Sequence, residues 1–179
     1  MPFIIIAVAL VIILLIAYIS IGNKLSRAAV KIDEAESDID VALTKRYDVL
    51  TKQLDIVKGY AKHESETIER VIELRRGSSM AEKSAAAAAM SEMQSKINVV
   101  AEAYPELRSA ENFRMLQASV NDTEEHLQAA RRAYNANVSS FNQLLVTFPS
   151  SVVAGARGLT KRDFFEAEPA KRADVKMEF

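Results

Sequence analysis

Residues 3–40 read FIIIAVALVIILLIAYISIGNKLSRAAVKIDEAESDID, an uncharged apolar run that passes directly into a charged, periodically apolar segment. Fourteen of the nineteen residues from Phe3 to Ile21 are Ile, Leu, Val or Phe, the others being three Ala, Tyr18 and Ser20, and the first charge is Lys24. About 20 such residues span the hydrocarbon core of a bilayer as a helix. At about −0.3 to −0.6 kcal/mol per large aliphatic residue, insertion is favoured by several kcal/mol.

The expected anchor is residues 1–23. Its side chains are Phe3, Ile4, Ile5, Ile6, Val8, Leu10, Val11, Ile12, Ile13, Leu14, Leu15, Ile16, Ile19 and Ile21, with Tyr18 where an interfacial aromatic belongs. A cleaved signal peptide would carry basic residues before the run and a small-residue cleavage site after it. Ile19-Ser20-Ile21-Gly22 is a poor site of that kind, and no basic residue precedes the run. A buried soluble helix would show a polar face, which this run lacks.

Basic residues set orientation. Lys24, Arg27 and Lys31 follow the run, against only the α-amino group before it. The expectation is N-terminus out and the remaining chain cytoplasmic, with these three cations at lipid headgroups.

All 23 Lys and Arg and all 24 Asp and Glu lie beyond the anchor. A net charge of −1 gives no argument for nucleic acid. The chain has no cysteine, which excludes disulfides, thiolate metal sites and a cysteine nucleophile.

Between Asn23 and Phe148 the main helix breakers are Gly59, Gly77 and Pro105. Long helices follow. The first soluble helix is expected over 24–76, with Leu25, Ala28, Ile32, Ala35, Ile39, Leu43, Tyr47, Leu50, Leu54 and Val57 at three-four spacing. A second is expected over Met80–Ala103, ended by Pro105. A third is expected from Asn112 to Phe148, striped by Phe113, Val120, Leu127, Tyr134, Val138 and Phe141 and stopped by Pro149. The fold class is all-α: one transmembrane helix continuing into an elongated antiparallel bundle of three long soluble helices. The domains are anchor 1–23, bundle 24–148 and a mostly irregular tail 149–179.

At 1.5 Å per residue the soluble helices measure roughly 80, 36 and 55 Å. The second helix, with an extended Tyr104–Glu111 connection, is expected to return about 55 Å toward the membrane and the third to go out again, so the first ~25 Å of the first helix lacks a cover from its own chain. Leu25, Ile32 and Ile39 in that stalk would then need a partner, and another copy of the chain is the simplest one. Charge segregation along the stalk, basic to Lys31 and acidic from Asp33 to Asp40, suits headgroups first and pairing between neighbours beyond, or simply a solvated surface.

In the tail, Thr160 and Asp163 resemble a capping box, so a short helix over 161–166 would present Phe164 and Phe165. Val175–Phe179 alternates with a strand-like period, which would let it add to a neighbouring subunit, although such a tail more often packs on its own domain or frays. Arg131 and Arg132 flank Tyr134, either pairing with acids of the first helix or meeting another subunit.

The chemistry motifs are missing. His63 and His126 lack the Glu-x-x-His spacing of a di-iron bundle. No phosphate loop, dinucleotide loop, His-Glu-x-x-His or nucleophile elbow occurs. No cofactor, metal or small-molecule substrate is expected, and no enzyme activity.

Ile39–Arg46, Val57–Glu64 and Ala101–Leu107, with Asn112-Phe113, Thr123-Glu124, Ala130-Arg131-Arg132, Tyr134-Asn135, Phe141-Asn142, Phe148-Pro149, Phe164-Phe165 and Phe179, resemble the LemA family. The resemblance runs from about Ala35 to Phe179. Lys45 stands where the family has the first of two arginines, Thr51-Lys52-Gln53 where Pro-Asn-Leu is usual, and Gly158-Leu159 where Gly-Phe is common. The resemblance implies a helical bundle on one N-terminal anchor in a bacterial inner membrane, without accepted catalytic residues. A relative that takes part in building magnetosome membranes implies, by analogy only, a membrane-organising role. The expected function is a non-enzymatic membrane-anchored scaffold that self-assembles through stalks and bundle faces. The alternative is a tethered adaptor binding a partner in envelope signalling or assembly through Phe164–Phe165 or the Arg131–Tyr134 region.

Overall fold

The computed structural model describes residues 2–59 and 79–166. Its helices are α1 (Pro2–Lys58), α2 (Met80–Ala103), α3 (Pro105–Ser109), α4 (Glu111–Val146) and α5 (Ser150–Ala156). Among the described residues there is no strand. The class is all-α, with one apolar N-terminal helix and several long helices.

The chain divides into two compact units. The first combines Met1–Ala35 with Ala133–Asp163, the second Glu36–Arg132 with Phe164–Phe179.

In the first unit, α4 runs antiparallel to α1. Asn137 Nδ2 donates to the Lys31 carbonyl at 3.0 Å, and farther along the chain Arg157 reaches back to Gly22. Leu25 and Ile32 are fully buried here, together with Tyr134, Val138 and Phe141. The stripe expected to lie bare is therefore covered by its own chain.

In the second unit, α2 runs parallel to α1. Lys83 Nζ bonds Glu36 and Asp40, while Ser91, farther along α2, accepts from Arg46, farther along α1. The α4 segment is antiparallel, since Asp122 pairs with Lys45 and the earlier Gln117 with the later Gln53. Ile39 is fully buried in this unit. This overturns the out-back-out order: α4, not α2, is the returning helix. Helix α1 stops at Lys58, and Gly59 lies in a turn with its N–H donating to the Ile56 carbonyl. The rest of the expected first helix, with His63 and Gly77, lies outside the described residues.

Local signals set the other ends. Ser79 caps α2: its hydroxyl accepts from the Glu82 N–H, and the Glu82 carboxylate accepts from the Ser79 N–H, a reciprocal capping box. Pro105 does not lead into an extended connection. It starts the single turn α3, where a missing N–H is harmless. The tail also departs from expectation: the helix lies at Ser150–Ala156, and residues 161–166 are not helical. Gly155 does not prevent α5, because Ser150, Val153 and Ala154 bury one face. Gly158, at φ 66°, ends it: the Gly158 N–H bonds the Gly155 carbonyl and the Leu159 N–H the Ala154 carbonyl, a Schellman pattern.

Candidate functional site

Within the first unit, α1 changes character over one turn. From Phe3 to Ile19 its large apolar side chains are exposed, with no protein cover. By length and composition this is a helix able to cross a membrane. Beyond it Gly22 and Leu25 are buried, whereas Lys24, Arg27 and Lys31 point outward. The three cations share a groove with Asn137, Ser140 and Leu144 of α4. Such a groove offers ammonium and guanidinium donors to anions at the end of an apolar helix.

Sequence reasoning missed Arg157. The Schellman end of α5 places it against α1, where Nη1 donates to the Gly22 carbonyl at 3.2 Å. Its guanidinium carbon lies 5.6 Å from the centre of the Tyr18 ring. A Cβ at Gly22 would collide with that guanidinium, so the missing side chain is what lets the arginine in. A lone arginine in a Gly-rich tail carries no sequence signal for this contact.

The second unit holds buried charges. Arg46 lies 2.9 Å from the Glu124 carboxylate and also donates to Ser91 Oγ and the Ala87 carbonyl. Lys83 is buried between Glu36 and Asp40, each at 2.8 Å. Burial works against the Lys83 charge, but hydrogen bonds to Asp40 and Glu36 outweigh it and hold the group above its ordinary 10.5. Gln53, fully buried, donates to Gln117 at 2.7 Å. The signal for these was available. Lys83 stands three residues before Ala86, and Arg46 and Gln53 fall seven and fourteen after Ile39, all at apolar-stripe spacing.

Lys45, by contrast, pairs with Asp122 on the exposed surface at 3.0 Å. The hydrogen bond from Lys45 holds the Asp122 carboxyl below its ordinary 3.8. His126 Nε2 lies 3.4 Å from the same carboxylate, also exposed.

The tail is tied down within each unit. In the first, the Tyr134 hydroxyl donates to the Asp163 carbonyl at 2.9 Å. Asn142 donates to the Arg162 carbonyl and accepts from the Arg162 N–H, both at 2.9 Å. In the second, the Arg131 guanidinium lies 4.6 Å from the Phe165 ring centre and donates to the Glu166 carbonyl.

This corrects the expected assembly residues. Leu25, Ile32, Ile39, Tyr134 and Phe165 are buried in the chain itself, and Arg131 is engaged by the tail. Arg132 and Phe164 remain exposed, and Phe179 lies outside the described residues. Among the described residues no group of three or more His, Asp or Glu side chains is placed to hold a metal ion.

The LemA family profile matches residues 35–179. The chain is similar to Protein LemA of Metamycoplasma hominis, 29% identical over 163 residues that cover 88% of this chain and 74% of that protein. It is similar to Magnetosome protein MamQ of Magnetospirillum gryphiswaldense, 24% identical over 75 residues, 42% of this chain and 28% of that protein. Magnetosome protein MamQ 2 of Paramagnetospirillum magneticum is 25% identical over 75 residues, with the same coverage of each chain.

Proposed function

The chain belongs to the LemA family, and from that membership and its apolar first helix we propose a non-enzymatic, membrane-anchored scaffold that assembles with its own copies at the bilayer. One observation carries the reading. Within the first unit, α1 passes without a break from bare apolar surface of membrane length, Phe3 to Ile19, to the buried Leu25 and Ile32. An anchor joined this way transmits orientation as well as location. Lys24, Arg27 and Lys31 meet headgroups on the cytoplasmic side, with the N-terminus outside.

Self-association does not use the Leu25–Ile39 stripe. It uses outer faces, where Val41, Val99 and Met115 are exposed, among copies concentrated in two dimensions. Relatives named as magnetosome proteins support a membrane-organising role. Particle imaging and crosslinking of the full chain in lipid nanodiscs test the proposal. Multimers are expected, and a monodisperse monomer with a folded bundle would overturn it. Removing Phe3–Ile21 should leave a folded bundle with weakened assembly; unchanged large assemblies would count against the role given to the anchor.

A second reading rests on Phe164, which is exposed beside the buried Phe165, and on exposed Arg132. These side chains suit an adaptor that binds another protein. A crosslinking pull-down that yields one stoichiometric foreign protein and no self-contacts favours it.

A further inference from the structure

The end of α4, the turn after it and α5 leave a group of apolar side chains unexplained. Phe148 is 79% exposed, Val146 63% and Val152 64%. Phe148 falls on the spacing of the buried α4 stripe, but α4 stops at Val146 and the turn at 147–149 directs it outward. The turn is held in place: the Ser150 hydroxyl lies 2.7 Å from the Leu144 carbonyl and 2.8 Å from that of Thr147.

The register of the first unit gives the height of these residues along α1. Asn137 lies beside Lys31, and the two helices run antiparallel with equal rise. Counting nine residues along each puts Val146 level with Gly22. Two more residues of the same rise would bring Phe148 level with Ser20. The groove lining agrees, since Leu144 shares it with Lys24 and Ser140 with Ala28. Ser20 lies between Tyr18, the interfacial aromatic, and Lys24, the first charge. Those two residues are about 9 Å apart along the helix, the depth of a headgroup layer.

Arg157 fixes the other end of this segment at the same height, through Gly22 and Tyr18. Charge agrees with position. From Ala133 to Arg162 the chain has Arg157, Lys161 and Arg162 and no acidic residue. Apolar side chains level with the end of a membrane helix, with cations behind them, match the anionic headgroup–acyl boundary.

We propose that the segment Val146–Arg157 is a second membrane-contacting element, which inserts Phe148, Val146 and Val152 into the boundary of one leaflet while Arg157 is held at headgroup depth. The proposal rests on the reading of α1 as the anchor. Its consequence is one-sided: the segment occupies area on a single side of α1 in a single leaflet, which fixes the tilt of α1 and favours a curved bilayer.

The absence of cysteine makes the test direct. Phe148→Cys and Val152→Cys in the full chain are labelled with an environment-sensitive fluorophore and reconstituted in vesicles of phosphatidylcholine and phosphatidylglycerol. Ile12→Cys and the exposed Met115→Cys serve as references. Blue-shifted emission, loss of iodide quenching and quenching by shallow spin-labelled lipids are expected at 148 and 152. Iodide quenching there equal to that at 115, with position 12 protected, would overturn the second contact and leave the anchor intact. Iodide access at 12 as well would overturn the anchor and the second contact together.

Discussion

The Arg46 guanidinium lies 2.9 Å from the Glu124 carboxylate, with the arginine side chain 2% exposed and the glutamate 29% exposed. The same guanidinium reaches Ser91, so one side chain joins α1, α2 and α4 in the second unit. Removing one member of a buried pair costs about 3–5 kcal/mol, because the charge left behind is uncompensated. Glu124 keeps some water contact, which places Arg46→Ala near the lower end. Arg46→Lys should also destabilise, since a single ammonium cannot serve the Ala87 carbonyl, reached by Nη1, together with Glu124 and Ser91, reached by Nη2, as a planar fork does. Denaturant unfolding of the full chain in detergent, followed by helical circular dichroism, measures both. A loss no larger than that for the exposed Asp122→Asn would contradict the role given to burial.

Lys83 makes a pH-dependent contribution with a definite sign. Its folded pKa is raised above 10.5, so the stabilisation is fully present below 10.5 and is lost as pH rises through the higher folded value. The second unit should therefore lose stability on the strongly alkaline side. Lys83→Met should be less stable at neutral pH and should lack that alkaline component. Unfolding midpoints measured from neutrality to beyond 10.5 decide this; an identical alkaline slope in both proteins would refute it.

Asp122 supplies the opposite case. Its folded pKa is depressed below 3.8, so its contribution is present above 3.8 and disappears as pH falls through the lower folded value. The carboxylate is exposed, so salt screens the pair. Asp122→Asn should leave neutral stability near that of the parent chain, and the small difference should vanish in high salt. A large loss that persists in salt would mean the pair is better shielded than its exposure indicates.

In the first unit, Tyr134→Phe removes one hydrogen bond to Asp163, worth about 0.5–1.5 kcal/mol. Asn142→Ala removes two, to the carbonyl and N–H of Arg162. Hydrogen exchange of the Arg162 amide reads both. Asn142→Ala should accelerate it more than Tyr134→Phe, because the amide loses its own acceptor. Equal protection in all three proteins would show that the tail is held by other contacts.

Gly22→Ala tests the seat of Arg157. The added methyl group occupies the space of the guanidinium, a flexible group that can swing away, so global stability should change little. The local hydrogen bond, about 0.5–1.5 kcal/mol, would be lost. Tryptic cleavage after Arg157 in reconstituted protein should then rise by up to about tenfold. An unchanged cleavage rate would show that Gly22 does not gate this contact.

The anchor and the ends of α2 were legible because each depends on neighbours in the chain. Phe3–Ile21 is apolar whatever lies around it, and Ser79-Met80-Ala81-Glu82 satisfies its own backbone donors. Tyr134 and Phe141 were legible as apolar positions of a long helix. Their tail contacts were not, because a hydrogen bond from Tyr134 to the Asp163 backbone leaves no pattern at either position. Lys83 and Arg46 stand at apolar-stripe spacing, but a charged residue at core spacing identifies its partner only in three dimensions.

The amino-acid sequence by itself determined the class of the molecule: an apolar helix of membrane length, long helices punctuated by Gly and Pro, and the family to which they belong. Only the tertiary structure decided direction. Helical periodicity is the same whether a helix runs up or down, so it could not tell that α2 lies parallel to α1 and α4 returns. That choice rests on pairings between residues far apart in the chain: Lys83 with Glu36 and Asp40, Arg46 with Glu124, and Lys31 with Asn137. It covers Leu25, Ile32 and Ile39 from within and brings Arg157 to the end of the apolar run.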